Sequence, residues 1–236
     1  MQRVMGHLRR ACDKYNMIAS GDKVAVGLSG GKDSVALLVS LARSRSFLVE
    51  GGFDVVAIMI DMGFDPDADY AEAKALCQSL GVPLHIVPTQ IGDIVFNERK
   101  EPNPCSLCSR MRRGALVNEA QQLGCNKLAL GHHLDDAVET FMMSLTQEGR
   151  INCFSPVTLL EDKSLTVIRP LIFAEEREVS RAVRKSGITI TKSRCPADGV
   201  TSRQRMKEKL KAEEKADPGL KIRIFGAIER SGLFGW

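Results

Sequence analysis

The sequence predicts an α/β protein built on a doubly wound, mostly parallel five-stranded sheet with helices on both faces. Three observations carry the prediction. Apolar runs without strict alternation recur along the chain, helix-like segments separate them, and a glycine-rich turn joins the first run to the first helix after it. Near-continuous apolar strands belong to sheets covered on both faces. Strands that alternate with helices form parallel crossovers of one hand. The chain length, 236 residues, suffices for one such domain with a full core.

Taken in order, Val4, Leu8, Cys12 and Tyr15 fall near helical spacing and predict a leading helix within 1–19. Residues 20–236 then read as one domain that ends in a basic helical extension. The strand-like runs are KVAVGL (23–28), DVVAIMID (54–61), PLHIVPT (83–89), KLALGH (127–132) and LTVIRPL (165–171). Helix-like segments lie at about 33–46, 67–80, 106–123 and 134–147, with two more at roughly 174–186 and 201–215. The chain has no internal repeat, low-complexity tract or obvious linker. In a doubly wound sheet, ligands sit at the carboxyl ends of the strands.

Composition excludes several classes. No apolar run approaches the ~20 residues that cross a bilayer. The amino terminus is basic but lacks an apolar core and a small-residue cleavage site, so it is no secretory signal, and a cytoplasmic protein is expected. Seven cysteines, an odd number without secretory context, argue against a disulfide framework. The net charge of +4 is a mild excess, but its placement is uneven. Arg110, Arg112 and Arg113 cluster, Arg177, Arg181, Arg184 and Lys185 share one stretch, and Arg203 to Lys211 forms another. Such runs are either solvated helix faces or footprints for a polyanion.

Three motifs carry chemistry. In SGGKDS, residues 29–34 after Leu28, the two glycines let the backbone turn sharply and approach a ligand. Asp33 and Ser34 open a helix whose free N–H groups and positive end face the turn, and Lys32 adds a point charge. Together these make an anion site suited to phosphates, though the spacing is not that of the common GxxxxGK(S/T) loop. In GHHLDDAVET, Gly131 ends a strand, and Asp135 and Asp136 start a helix, where they either cap it or bind Mg²⁺. One of His132 and His133 lines the nucleotide site while the other packs. Cys105 and Cys108, just after Pro102 and Pro104, share a helix face. They could serve as metal ligands, a redox pair or a sulfur-carrying pair. Cys12, Cys77, Cys125 and Cys153 read as small buried hydrophobes.

SGGKDS after a first strand resembles the PP-loop of the N-type ATP pyrophosphatases, with their adenine nucleotide alpha hydrolase-like fold. GHxxDDxxET resembles their second ATP-site motif. CSLCSRMRRGAL resembles the tRNA 2-thiocytidine synthetases and related iron–sulfur tRNA thiolases. The resemblance implies an enzyme that splits ATP between the α and β phosphates and adenylates a tRNA base carbonyl, cytidine C2. Sulfur then replaces the oxygen.

By the same resemblance, ATP contacts Leu28, Ser29, Gly30, Gly31, Lys32, Asp33, Ser34, Met59, Ile60, Gly131, His132 and Asp136. Asp33, Asp135 and Asp136 hold Mg²⁺. Cys105, Cys108 and Cys195 hold a 4Fe-4S cluster whose open iron takes hydrosulfide as the nucleophile. Lys32, Asp136 and the three cysteines are the implied catalytic residues. Asp198 stands where relatives often carry a further cysteine, which removes the simplest four-cysteine zinc site. Implied partners are tRNA, met by Arg110, Arg112 and Arg113, a cysteine desulfurase or free sulfide as sulfur source, and a second copy in a homodimer.

Alternatives are a PP-loop enzyme that uses a cysteine persulfide, one that acts on another base or a small molecule, and a zinc-stabilised RNA-binding module. A lysidine-type ligase needs no cluster, and Cys105, Cys108 and Cys195 argue against it.

Overall fold

The computed structural model describes residues 1–65, 67–100, 104–191, 195–197, 199 and 201–236. Its sheet contains β1 (Lys23–Gly27), β2 (Asp54–Asp61), β3 (Leu84–Pro88), β4 (Lys127–Ala129), β5 (Val157–Leu160) and β6 (Leu165–Ile168). The strand order is β3-β2-β1-β4-β6-β5. Every neighbouring pair is parallel except β5 and β6, which form an antiparallel hairpin. The five-stranded expectation is thus corrected to six. Val157-Thr158-Leu159-Leu160 is a short, half-exposed run at the sheet edge, without the long apolar signature of the buried strands. Its pairing comes from the tight turn through Glu161–Lys163, closed by Ser164 in the left-handed region at φ 47°.

The helices are α1 (Gln2–Tyr15), α2 (Lys32–Ser44), α3 (Ala71–Leu80), the short α4 (Ile91–Asp93), α5 (Pro104–Gln122), α6 (Leu134–Gln147), α7 (Glu176–Lys185), α8 (Ser202–Ala216) and α9 (Leu220–Arg230). A π-helical turn, Ile94–Glu98, follows α4. The helix expected from 67 begins at Ala71, because the Asp-rich stretch before it forms turns instead. Asp65 Oδ1 accepts the Asp67 N–H, Asp69 Oδ1 accepts the Ala71 N–H, and Tyr70 is left-handed at φ 54°. Among the described residues, no helix is long and apolar enough to cross a membrane.

Alternation along the strands divides the core between the two faces of the sheet. Val24, Val26, Val55 and Ala57 pack on one face with Leu8 of α1 and Leu37, Leu38 and Leu41 of α2. Ala25, Val56, Ile58, Leu128 and Val167 face the other side, against Leu116, Val117 and Ala120 of α5. Helices thus cover both faces. Helix α2 is apolar around nearly its whole circumference, with residues 34–42 all buried, as befits a helix enclosed by its neighbours. From β1 the chain order runs outward through β2 and β3 on one side and through β4 and β6 on the other. The loops after β1 and β4 therefore meet at the switch point, where such sheets bind ligands.

Candidate nucleotide and cysteine site

The loop after β1 is held open by its own serines. The Ser29 N–H donates to Ser34 Oγ at 3.1 Å, and Ser34 Oγ–H donates to the Gly31 carbonyl at 2.9 Å. Gly30 takes φ +79°, a conformation that disfavours any side chain. A Cβ there would also stand 2.9 Å from Thr191 Cβ, while the Thr191 N–H donates to the Gly30 carbonyl at 3.0 Å. Gly31 forms the cap of α2, so the first amides of that helix open toward the loop. Gly131, at the end of the neighbouring β4 turn, approaches the start of α2. A Cβ on it would lie 3.0 Å from the Asp33 carbonyl carbon and 3.1 Å from the Ser34 nitrogen. The second motif thus depends on glycine to press against the first.

His133 and Asp136 lock the start of α6 in a reciprocal cap. The His133 N–H donates to Asp136 Oδ2 at 3.0 Å, and the Asp136 N–H donates to His133 Nδ1 at 3.4 Å. Burial opposes the charge on Asp136, but His133, His132 and Arg203 outweigh it, and its carboxyl is held below the usual range. The sequence named His132 for the nucleotide. The structure sets the His133 ring against the cleft and the His132 ring against Phe154, 5.0 Å between centroids. Burial pushes His132 down to about 4.

Asp135 faces away from the phosphate loop. It accepts the Glu176 N–H at 2.7 Å and the Lys221 ammonium at 2.8 Å, and so ties α6 to α7 and α9. Removing one partner of a buried pair costs roughly 3–5 kcal/mol. Asp135→Ala is therefore expected to lower the thermal midpoint by roughly 10 °C, read by a calorimetric or circular-dichroism melt. An unchanged midpoint would show that Asp135 is not a structural tie.

A cleft of about 170 Å³ lies between the phosphate loop, α6, α7 and α8, lined by Lys32, Asp33, His133, Asp136, Glu139, Glu176, Gly199, Thr201, Arg203, Gln204 and Lys207. Lys32 bridges Asp33 at 2.9 Å and Glu176 at 3.0 Å. Burial works against its charge, yet these two carboxylates raise its pKa overall. Glu176 responds in kind: burial would raise it, but Lys207 and Lys32 hold it down at about 2. Asp33 Oδ1 is buried without a hydrogen-bond partner among the described residues. His133 Nε2 lies 3.6 Å from it. A carboxylate oxygen without a hydrogen bond, in the cleft that Asp136 also lines, is the donor chemistry a hard divalent cation takes. A larger opening, about 310 Å³, lies at the amino ends of β1 and β2 around Lys23, Arg45 and Asp54, far from this chemistry. Met59 is buried and Ile60 half-buried at the carboxyl end of β2.

Pro104 opens α5, which sets Cys105 and Cys108 near the start of that helix. Cys105 is exposed, while Cys108 and Cys195 are half-buried. Burial raises the Cys108 thiol, Arg112 pulls it down, and Cys195 and Cys105 push it up. Cys108 is thus within electrostatic reach of both other cysteines, although 90 residues of sequence separate Cys105 from Cys195. No preformed set of three or more ligand side chains is present among the described residues. Thiols are nevertheless the donor chemistry that a soft metal centre takes. Arg110, Arg112 and Arg113 are exposed on α5. Pro102 and Asp198 lie outside the described residues. Cys12, Cys77, Cys125 and Cys153 are buried.

Sequence reasoning did not place Glu139, Glu176, Arg203 or Lys207 in the cleft. Arg203 and Lys207 are four residues apart in TSRQRMKEKL, on one helical face. That spacing was legible, but which surface the face would meet was not.

A PP-loop domain family matches residues 4–214. The tRNA-cytidine(32) 2-sulfurtransferase of Geobacter metallireducens is 38% identical over 231 residues, 96% of this chain and 89% of that one. Its namesake from Pelobacter propionicus is 37% identical over 222 residues, 93% and 82% of the two chains. Among solved structures, the U34-tRNA thiolase NcsA from Methanococcus maripaludis with its 4Fe-4S cluster is 27% identical. It aligns with a TM-score of 0.79 over 96% of this chain and 78% of its own. Since the domain match spans most of the chain and these relatives align along nearly all of it, the chain belongs to the PP-loop family.

Proposed function

We propose that this chain is an ATP-dependent tRNA sulfurtransferase that adenylates the C2 carbonyl of a cytidine and replaces its oxygen with sulfur. The observation that supports the reading is that Cys108, near the start of α5, lies within electrostatic reach of both Cys105 and Cys195. The curated relatives' names, tRNA-cytidine(32) 2-sulfurtransferase, support both the reaction and the base.

ATP phosphates lie against the amides of Ser29 to Ser34, with Lys32 as the counter-charge and the adenine toward Met59 and Ile60. Asp33 and Asp136 are the residues that would hold Mg²⁺, which neutralises the pyrophosphate leaving group. The base's carbonyl oxygen attacks the α-phosphorus, forming one oxygen–phosphorus bond as pyrophosphate leaves with the other. Hydrosulfide then attacks the activated carbon, its proton is lost, and the carbon–oxygen bond breaks as AMP departs, leaving the thiocarbonyl. Cys105, Cys108 and Cys195 would hold a 4Fe-4S cluster, which supplies an open iron position for sulfide.

Arg110, Arg112 and Arg113, exposed beside the cysteines, meet the tRNA phosphates. The target base is swung out of its loop to reach the cleft. Sulfur enters from a cysteine desulfurase or as free sulfide. The chain works in the cytoplasm as a homodimer.

The test is an anaerobic incubation with ATP, Mg²⁺, sulfide and unmodified tRNA, followed by nucleoside mass spectrometry. The expected products are 2-thiocytidine and an equal amount of AMP. AMP without a thionucleoside would sink the sulfur reading, and a thionucleoside other than 2-thiocytidine would move the target base.

A further inference from the structure

The basic run from Arg203 to Lys211 looks in sequence like a surface for RNA, but two of its side chains turn inward. Helix α8 starts at the Thr201 cap, whose Oγ1 accepts the Gln204 N–H at 3.1 Å, and its first turns form one wall of the charged cleft. Arg203 Nη1 lies 3.3 Å from Asp136 Oδ1 and 3.5 Å from Glu139 Oε2, and its Nη2 donates to Thr140 Oγ1 at 3.0 Å. One turn further on, the Lys207 ammonium lies 2.5 Å from Glu176 Oε1, the same oxygen that Lys32 contacts at 3.0 Å from the phosphate loop.

Three cations, Lys32, Arg203 and Lys207, thus converge on one cleft with four carboxylates, Asp33, Asp136, Glu139 and Glu176. The pairing has a consequence for a metal–polyphosphate ligand. Asp136, a residue that would hold the divalent cation, is paired with Arg203. Lys32, the loop's own phosphate-binding cation, shares Glu176 with Lys207. A ligand that brings both a divalent cation and phosphate oxygens can exchange every partner. The cation takes over the carboxylates, and the phosphates take over the ammonium and guanidinium groups. A lone monophosphate at the far end of the loop offers no such exchange.

We propose that Arg203 and Lys207 of α8 bind the β- and γ-phosphates of ATP, and then the pyrophosphate leaving group, by leaving Asp136, Glu139 and Glu176 for phosphate oxygens. The proposal rests on the reading of this cleft as an ATP site and assigns these two positions to the nucleotide instead of to RNA. Arg203 supplies a planar fork of donors that suits two phosphate oxygens at once, and Lys207 supplies a point charge.

The test is titration calorimetry of the full-length protein with inorganic pyrophosphate and Mg²⁺, and separately with AMP. Wild type is compared with Arg203→Gln, Lys207→Gln, the double variant, and Lys211→Gln as an exposed control on the same helix. Each of the first two substitutions is expected to weaken pyrophosphate binding roughly tenfold, the loss of one charged hydrogen bond. AMP binding should stay within about twofold, since AMP lacks the two phosphates that these residues hold. Both side chains are more than a third exposed, so the variants should fold, and a thermal melt checks that they do.

Pyrophosphate binding equal to wild type in both variants overturns the proposal. So does an unchanged pyrophosphate affinity with weakened tRNA binding, which would return α8 to an RNA surface. If wild type itself binds neither pyrophosphate nor ATP, the ATP-site reading falls first and takes the proposal with it. Loss of AMP affinity in step with pyrophosphate would show a general collapse of the cleft, and that also counts against it.

Discussion

Cys108→Ser, purified without oxygen, is expected to lose its iron and acid-labile sulfide and to form no thionucleoside, while still binding ATP. Wild type should be brown and carry about four irons per chain. Serine keeps the size of the side chain but replaces a soft sulfur donor with a hard oxygen that soft metal centres reject. The fold should survive, because Cys108 is half-buried on the exposed first turn of α5 and contributes nothing to either core cluster.

Cys108 feels the other two cysteines and Arg112 alike. The same loss is expected in Cys105→Ser and Cys195→Ser. A persulfide mechanism needs only two of the three cysteines, so one substitution would then be tolerated. Iron analysis of the three single variants, with AMP formation as the control for an intact nucleotide site, separates the two cases. A colourless wild type that resists cluster reconstitution yet still thiolates tRNA would retire the cluster reading altogether.

Much of this site could be read from the chain because its chemistry is local. SGGKDS specifies its own turn: glycine is required at Gly30 by a positive φ and by Thr191, and Ser29 and Ser34 bond each other within the same six residues. The four interior strands were legible because burial on both faces removes polar positions from them, and edge strand β3 because Leu84, Ile86 and Val87 keep it apolar though only half-buried. Strand β5 was not, since a four-residue edge strand owes its conformation to a partner reached through a turn. The start of α3 shifted for a related reason: aspartates that bond nearby backbone compete with the helix they precede.

What sequence could not supply was the direction of charged side chains. Asp135 and Asp136 are adjacent and chemically equal, yet a helix turns neighbouring side chains about 100° apart. One of them is caught between α7 and α9 while the other faces the cleft. Glu176, Arg203 and Lys207 reach the same cleft from helices far along the chain, and only the packing of α7 and α8 on α6 brings them there.

That division of labour sets the largest effect expected from a single charge. Asp136→Asn should reduce AMP formation and tRNA thiolation by about 10²–10³-fold, the range for losing a group that stabilises charge developing in the transition state. Its thermal midpoint should fall less than that of Asp135→Asn, because its partner Arg203 is more exposed than Lys221. Asparagine keeps an oxygen that can accept the His133 N–H, now made at 3.0 Å, so the cap of α6 persists. What disappears is the negative charge that shares the cleft with Asp33, whose Oδ1 makes no hydrogen bond.

Asp135→Asn is the matched comparison. It removes the charge that holds the Lys221 ammonium at 2.8 Å, so it should lower stability while leaving turnover per folded molecule close to wild type. Measuring AMP release and a thermal melt on both variants gives two opposite patterns from two neighbouring residues of the same type. A drop in turnover confined to Asp135→Asn would mean that the acidic pair is assigned in the wrong order. Equal drops in both would mean that α6 must be fixed at α7 and α9 before Asp136 can act, and Asp135 would then be a positioning residue for the reaction.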